Sequence, residues 1–234
     1  MDVKFGKNQN KTSHVASRLE YFEWLANNIK IPGIVSVSRD NAFDDNEMRN
    51  AGIRLQYKSH FSSLHGVKDG ILIEVGHDAT TPNRAMAISS WAFDRAATSG
   101  ILFKDTHAVD VKCYCMEYTF VEKLQTVSTK FRQQQMNGSM PNNFMRHYYD
   151  LHQLLAQPDV LAFLGTSKYE EYKKLRFRTG DILKISENEA FLLNDTATRK
   201  LYADEYRKTA SLYYNGQVPF EDILKRIREH IEQL

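Results

Sequence analysis

The stretch MRHYYDLHQLL, from Met145 to Leu155, is the densest concentration of chemically capable side chains in the chain. Arg146 and Asp150 stand four residues apart, on one face of any helix that forms there. Two arrangements follow from that spacing. In one, they make a helix-surface ion pair worth about 0.3–0.5 kcal/mol, with His147, Tyr148, Tyr149 and His152 in the core or at its rim. In the other, Asp150 orients Lys123 or a reacting group at a cleft between the strand-rich and helical halves of the chain. Spacing alone leaves both open.

Lys123 follows the Tyr118-Thr119-Phe120 run, beside Glu122. It lies three residues past Phe120 and four before Val127, so it sits along the edge of an apolar helical stripe rather than opposite it. A lysine in that position either snorkels its ammonium to water or points it into a cleft, where it can hold a phosphate. Glu74 lies within GILIEVG (Gly70–Gly76), a strand pattern with apolar neighbours on both sides. It is either a carboxylate on a solvated sheet face or a ligand for a hard divalent cation such as magnesium, which takes oxygen donors.

Other chemistries are excluded by pattern. The remaining histidines, His14, His60, His65, His77, His107 and His230, have no HExxH spacing, and Cys113 and Cys115 have the wrong interval for a zinc knuckle. There is no GxSxG, no GxxxxGK[ST] and no GxGxxG after a strand, so hydrolase, P-loop and dinucleotide-binding readings fail. KYEEYKKLRFR, Lys168–Arg178, is basic with interleaved tyrosines, which suits a solvated helix face or a nucleic-acid contact.

These residues need elements to carry them. Val15, Leu19, Phe22 and Leu25/Ala26 recur at helical spacing, predicting a helix from Ser13 to about Ile29 that Pro32-Gly33 stops. Strand-like runs follow at Ile34–Val37, Ile53–Tyr57, Ile71–Gly76, Met86–Ile88 and Val109–Cys115, with a short helix at Trp91–Ala97. Ile53, Leu55 and Tyr57 alternate with Arg54, Gln56 and Lys58, predicting a half-exposed antiparallel strand. Ile71, Ile73 and Val75 share one face, leaving Glu74 on the other. From Glu117 the period becomes helical: Glu117–Gln135, then, after a loop at Asn137–Asn143, Phe144–Leu155, Pro158–Leu164, Ser167–Leu175, Thr196–Tyr214 and Pro219–Gln233. The class is α+β with segregated elements.

Composition agrees with a folded chain. Of 234 residues, 42% are hydrophobic and 26% charged, which argues against wholesale disorder. No apolar run approaches the roughly 20 residues that span a bilayer. The start, MDVKFGKNQNKTSH, lacks a signal peptide's apolar core, and two cysteines make no disulfide framework, so a cytoplasmic protein with no membrane partner is expected. Net charge is +2, without the basic excess of a dedicated nucleic-acid binder, though a local basic cleft for a phosphate-bearing ligand remains open.

Three segments in order, GILIEVG, EYTFVEKLQTV and RHYYDLHQL, resemble the AbiEii/AbiGii-type nucleotidyltransferase toxins of bacterial toxin–antitoxin and phage-defence systems. The resemblance spans roughly residues 1–155 and implies a nucleotidyltransferase-fold mixed β-sheet with flanking helices over residues 1–116. A C-terminal helical bundle, residues 117–234, would close the cleft. It places Glu74 at the family's acidic strand, Lys123 at its nucleotide-binding lysine, and Arg146 and Asp150 at its Arg-x-x-x-Asp-Leu motif. The implied activity is transfer of a nucleoside monophosphate from an NTP to an RNA (tRNA) or protein acceptor, with magnesium and a cognate antitoxin as partners. Asp150 would position Lys123 or the acceptor, and Arg146 would hold its helix in register or face the triphosphate.

One element departs from the family. Its Gly-Gly-Ser/Thr turn followed by Asp-x-Asp does not occur here; Met1-Asp2-Val3-Lys4-Phe5-Gly6 resembles the tail of that element, with Asp2 at the second aspartate. The expectation is an N-terminally shortened chain in which Asp2 and Glu74 bind magnesium poorly and catalysis is weak or lost. The competing expectation is a non-catalytic nucleotide- or protein-binding protein on the same scaffold.

Overall fold

Residues 11–63, 68–76, 80–213 and 216–234 are described by a computed structural model. The chain divides into two compact units, Met1–Ala79 and Thr80–Leu234. Asp2 lies outside the described residues.

The first unit sets one helix on a small sheet. Helix α1 (Thr12–Asn28) buries Arg18, Phe22 and Ala26, one residue per turn. Strands β1 (Ile34–Asp40), β2 (Asn50–Tyr57) and β3 (Ile71–Gly76) pair antiparallel in that order, with β2 central. Ala26, Ile53 and Leu55 form a core joined by Val37, Ile73 and Val75, so the face bearing Ile71, Ile73 and Val75 is the packed one. Glu74, in register with Gly52 and through it with Asp40, lies on the opposite face.

Strand β2 differs from expectation. Residues 51–55 are buried on both faces rather than on one. Arg54 is covered because β1 supplies a carboxylate: its Nη2 lies 2.8 Å from Asp40 Oδ2. Phe43 closes over Gly52, where an added Cβ would stand 2.8 Å from both the Asp40 carbonyl oxygen and Phe43 Cδ2.

The second unit begins with β4 (Asn83–Ile88), α2 (Trp91–Thr98) and β5 (Ala108–Tyr114), the two strands pairing antiparallel. The strands, expected as one mixed sheet, thus form two small antiparallel ones among the described residues. The expected division after Met116 followed the change from strand to helix, whereas by contacts β4, α2 and β5 group with the helices. Several bonds join them: Cys115 N–H donates to the Pro82 carbonyl, Arg84 pairs with Glu117 and Asp159, and Tyr114 donates to Glu122.

Helix α3 (Met116–Asn137) is the axis of this unit. Phe120, Leu124 and Val127 are fully buried on its inward stripe, and Gly138 ends it in the left-handed conformation at φ +71°. α4 (Arg146–Leu154), α5 (Pro158–Phe163), α6 (Ser167–Arg176) and α7 (Glu189–Leu192) pack against it, and α9 (Phe220–Glu229) packs on α4 and α7. The short α7 carries no periodicity to betray it; the Asn188 side chain starts it by accepting from Ala190 N–H. α8 (Thr196–Arg207) stops before the expected Tyr214 because the Thr209 hydroxyl and the Gln217 amide both donate to the Tyr206 carbonyl. Among the described residues no helix is long and apolar enough to cross a membrane.

Candidate active site

The site is built where α3 meets α4. On α3, buried Phe120 and Val127 hold the helix face from which Lys123 emerges with 28% of its side chain exposed. On α4, Tyr148 and Leu151 are fully buried, and the Tyr148 hydroxyl donates to the Ala190 carbonyl at 2.7 Å. That anchoring fixes the rotation of α4 and turns Asp150 toward α3. Lys123 Nζ donates to Asp150 Oδ2 at 2.7 Å.

Asp150 thus pairs with Lys123 of α3 rather than with Arg146, four residues before it on its own helix. Arg146 makes no ion pair among the described residues; it stands exposed at the first turn of α4. There the helix dipole presents its positive end, and burial, with the Arg146 charge, lowers the pKa of Lys130 on α3. Lys130 donates to the Asn142 carbonyl at 2.9 Å.

The charge states follow from the surroundings. Burial pushes the Asp150 carboxyl upward, but His147 and Lys123 outweigh it and hold the group below its ordinary 3.8. Asp150 is therefore a fixed anion, suited to holding a cation and poorly suited to accepting a proton at neutral pH. His147 is pushed the other way: burial, with the Lys123 and Arg146 charges, lowers it below 6.5 against the pull of Asp150. His147 Nδ1 lies 3.4 Å from Lys123 Nζ. His147 stands three residues before Asp150 on α4 and is buried, as a core or rim residue is.

Glu122, next to Lys123, faces elsewhere. It accepts hydrogen bonds from Tyr114 and Tyr172 at 3.1 and 2.7 Å and lies 3.4 Å from Arg176. It joins β5 and α6 to α3 and has no part in the Lys123 pair.

Glu74 lies in the first unit, and Lys123, Arg146 and Asp150 lie in the second. Glu74 is exposed at the rim of a depression of about 440 Å³ lined also by Phe43, Asn50, Ala51, Val75 and Gly76, where it is the one carboxylate among the described residues. Among the described residues no group of three or more His, Cys, Asp or Glu could hold a metal ion.

The family model described as "Nucleotidyl transferase AbiEii toxin, Type IV TA system" matches residues 8–226, and the chain belongs to that family. No curated protein and no solved structure matches it.

Proposed function

We propose that this protein is a nucleotidyltransferase-like toxin that transfers a nucleoside monophosphate from an NTP to an RNA or protein acceptor. In that reaction an acceptor oxygen attacks the α-phosphorus and pyrophosphate leaves. The Lys123–Asp150 pair carries the reading, because it sets an ammonium at a partly open position on two packed helices. Lys123 contacts the triphosphate, whose multiple charge competes with Asp150 for the ammonium. Asp150, kept ionised, holds Lys123 in place or positions the acceptor. Arg146, exposed and without a carboxylate partner among the described residues, faces the triphosphate from the start of α4. Family membership implies a cognate antitoxin, an NTP and a divalent metal. Asp2 and Glu74 are the candidate metal ligands.

The test is calorimetric titration with each NTP, with and without magnesium. Saturable binding that is lost in Lys123→Ala and Asp150→Ala, with helical circular dichroism unchanged, supports the reading. Unchanged NTP affinity in a well-folded Lys123→Ala protein refutes the role given to Lys123. Binding without transfer to any RNA or protein acceptor would leave a nucleotide-binding protein rather than a transferase.

A further inference from the structure

We propose that His147 is a positioning residue of this site. Its Nδ1 lone pair, set against the Lys123 ammonium, fixes the direction in which Lys123 presents its remaining N–H bond to a phosphate-bearing ligand. The inference rests on the reading of Lys123 as the phosphate contact.

Lys123 Nζ, Asp150 Oδ2 and His147 Nδ1 form a triangle. The ammonium is 2.7 Å from the carboxylate oxygen and 3.4 Å from the imidazole nitrogen, and those two atoms are 3.6 Å apart. An ammonium carries three donors on a flexible stem, so one carboxylate leaves it free to spin and swing. Two acceptors on one side engage two of the N–H bonds with modest bending, and the third then points away from both.

The proposal carries a tautomer with it. A bare Nδ1 accepts a long hydrogen bond from the ammonium at 3.4 Å, with Asp150 Oδ2 at 3.6 Å. That arrangement requires the proton of the neutral ring on Nε2. The ring itself is held by burial, at 8% exposure. The charged groups acting on it are Lys123 from α3, and Asp150 and Arg146 from α4. α9, also packed on α4, directs Arg226 to the His152 carbonyl instead. Burial and the neighbouring cations keep the neutral, accepting form of His147 present at neutral pH.

The experiment uses the full chain and inorganic tripolyphosphate as the probe, with magnesium, beside the NTPs. His147→Leu removes the acceptor while roughly keeping volume; His147→Asn returns an acceptor near the Nδ1 position. Loss of the acceptor is expected to weaken tripolyphosphate binding about 5–10-fold, the scale of one charge-assisted hydrogen bond, and Asn to restore it to within about twofold. Equal affinity in wild type and His147→Leu, or an Asn variant no better than Leu, overturns the proposal. A wild-type chain that binds neither polyphosphate nor NTP refutes the proposed function, so a ligand-free measurement runs beside it. Nitrogen-15 NMR of the His147 ring is expected to show the Nε2–H tautomer, with a pKa that rises in Lys123→Met. A ring protonated at Nδ1, or a titration indifferent to Lys123, overturns the positioning role whether or not nucleotide binds.

Discussion

Breaking the Lys123–Asp150 pair is expected to cost little stability compared with a core change, and a double-mutant cycle measures that cost. Lys123→Met keeps the packed aliphatic stem and removes the charge, while Asp150→Asn is isosteric. Two unit charges about 4 Å apart interact by about 1 kcal/mol in water and about 4 kcal/mol at the effective dielectric of a protein surface. With 28% and 35% of the side chains exposed, the pair lies between an open surface bridge and a buried one. Exposed pairs measure about 0.2–1 kcal/mol, and breaking a buried pair costs about 3–5 kcal/mol. A coupling of about 1–2 kcal/mol follows after discounting for water. Each single variant is expected to lose about that much, and the double variant less than the sum. Urea unfolding followed by helical circular dichroism reads it, since α3 and α4 lie in the helix-rich unit. A coupling below about 0.3 kcal/mol would show that the 2.7 Å contact does not persist in solution. One above about 3 kcal/mol would mean the site is closed to water and could not admit a triphosphate as argued.

Four further outcomes are expected. Gly52→Ala should destabilise the first unit by about 1–3 kcal/mol, because the new methyl meets a backbone oxygen and a Phe43 ring carbon at 2.8 Å; a neutral change in urea midpoint contradicts the packing of β1 on β2. Tyr148→Phe should cost about 1–2 kcal/mol by leaving the buried Ala190 carbonyl without its donor, read by thermal unfolding; an unchanged midpoint removes this anchor of α4. Stability should fall as pH drops below 6.5, because His147 is buried neutral and the unfolded chain takes up the proton first; His147→Asn should flatten that part of the profile. At lower pH Asp150 adds a loss of the same sign, with stability present above 3.8 that is lost as pH falls through its lower folded value; Asp150→Asn should remove that loss.

What the sequence shows of this molecule is what local periodicity controls. The alternation Ile71, Ile73, Val75 placed Glu74 on the far face of the sheet, and the stripe Phe120, Leu124, Val127 placed Lys123 at its edge, where both are found. The remainder is decided by partners distant in sequence. Arg54 reads as solvent-facing until Asp40, 14 residues away, buries it, and α8 reads as longer until Gln217 takes the Tyr206 carbonyl. Asp150 had a cation four residues away in Arg146 and chose one 27 residues away in Lys123. The energies say why: an exposed i,i+4 pair is worth about 0.3–0.5 kcal/mol, less than the pair formed where two packed helices partly exclude water. The rotation of α4 is set by Tyr148 and Leu151, whose burial is worth several times either ion pair, and the carboxylate goes where that rotation takes it. Arg146 is left without the obvious local partner for the same reason, so the apolar face of α4 determines which charges are available to a phosphate.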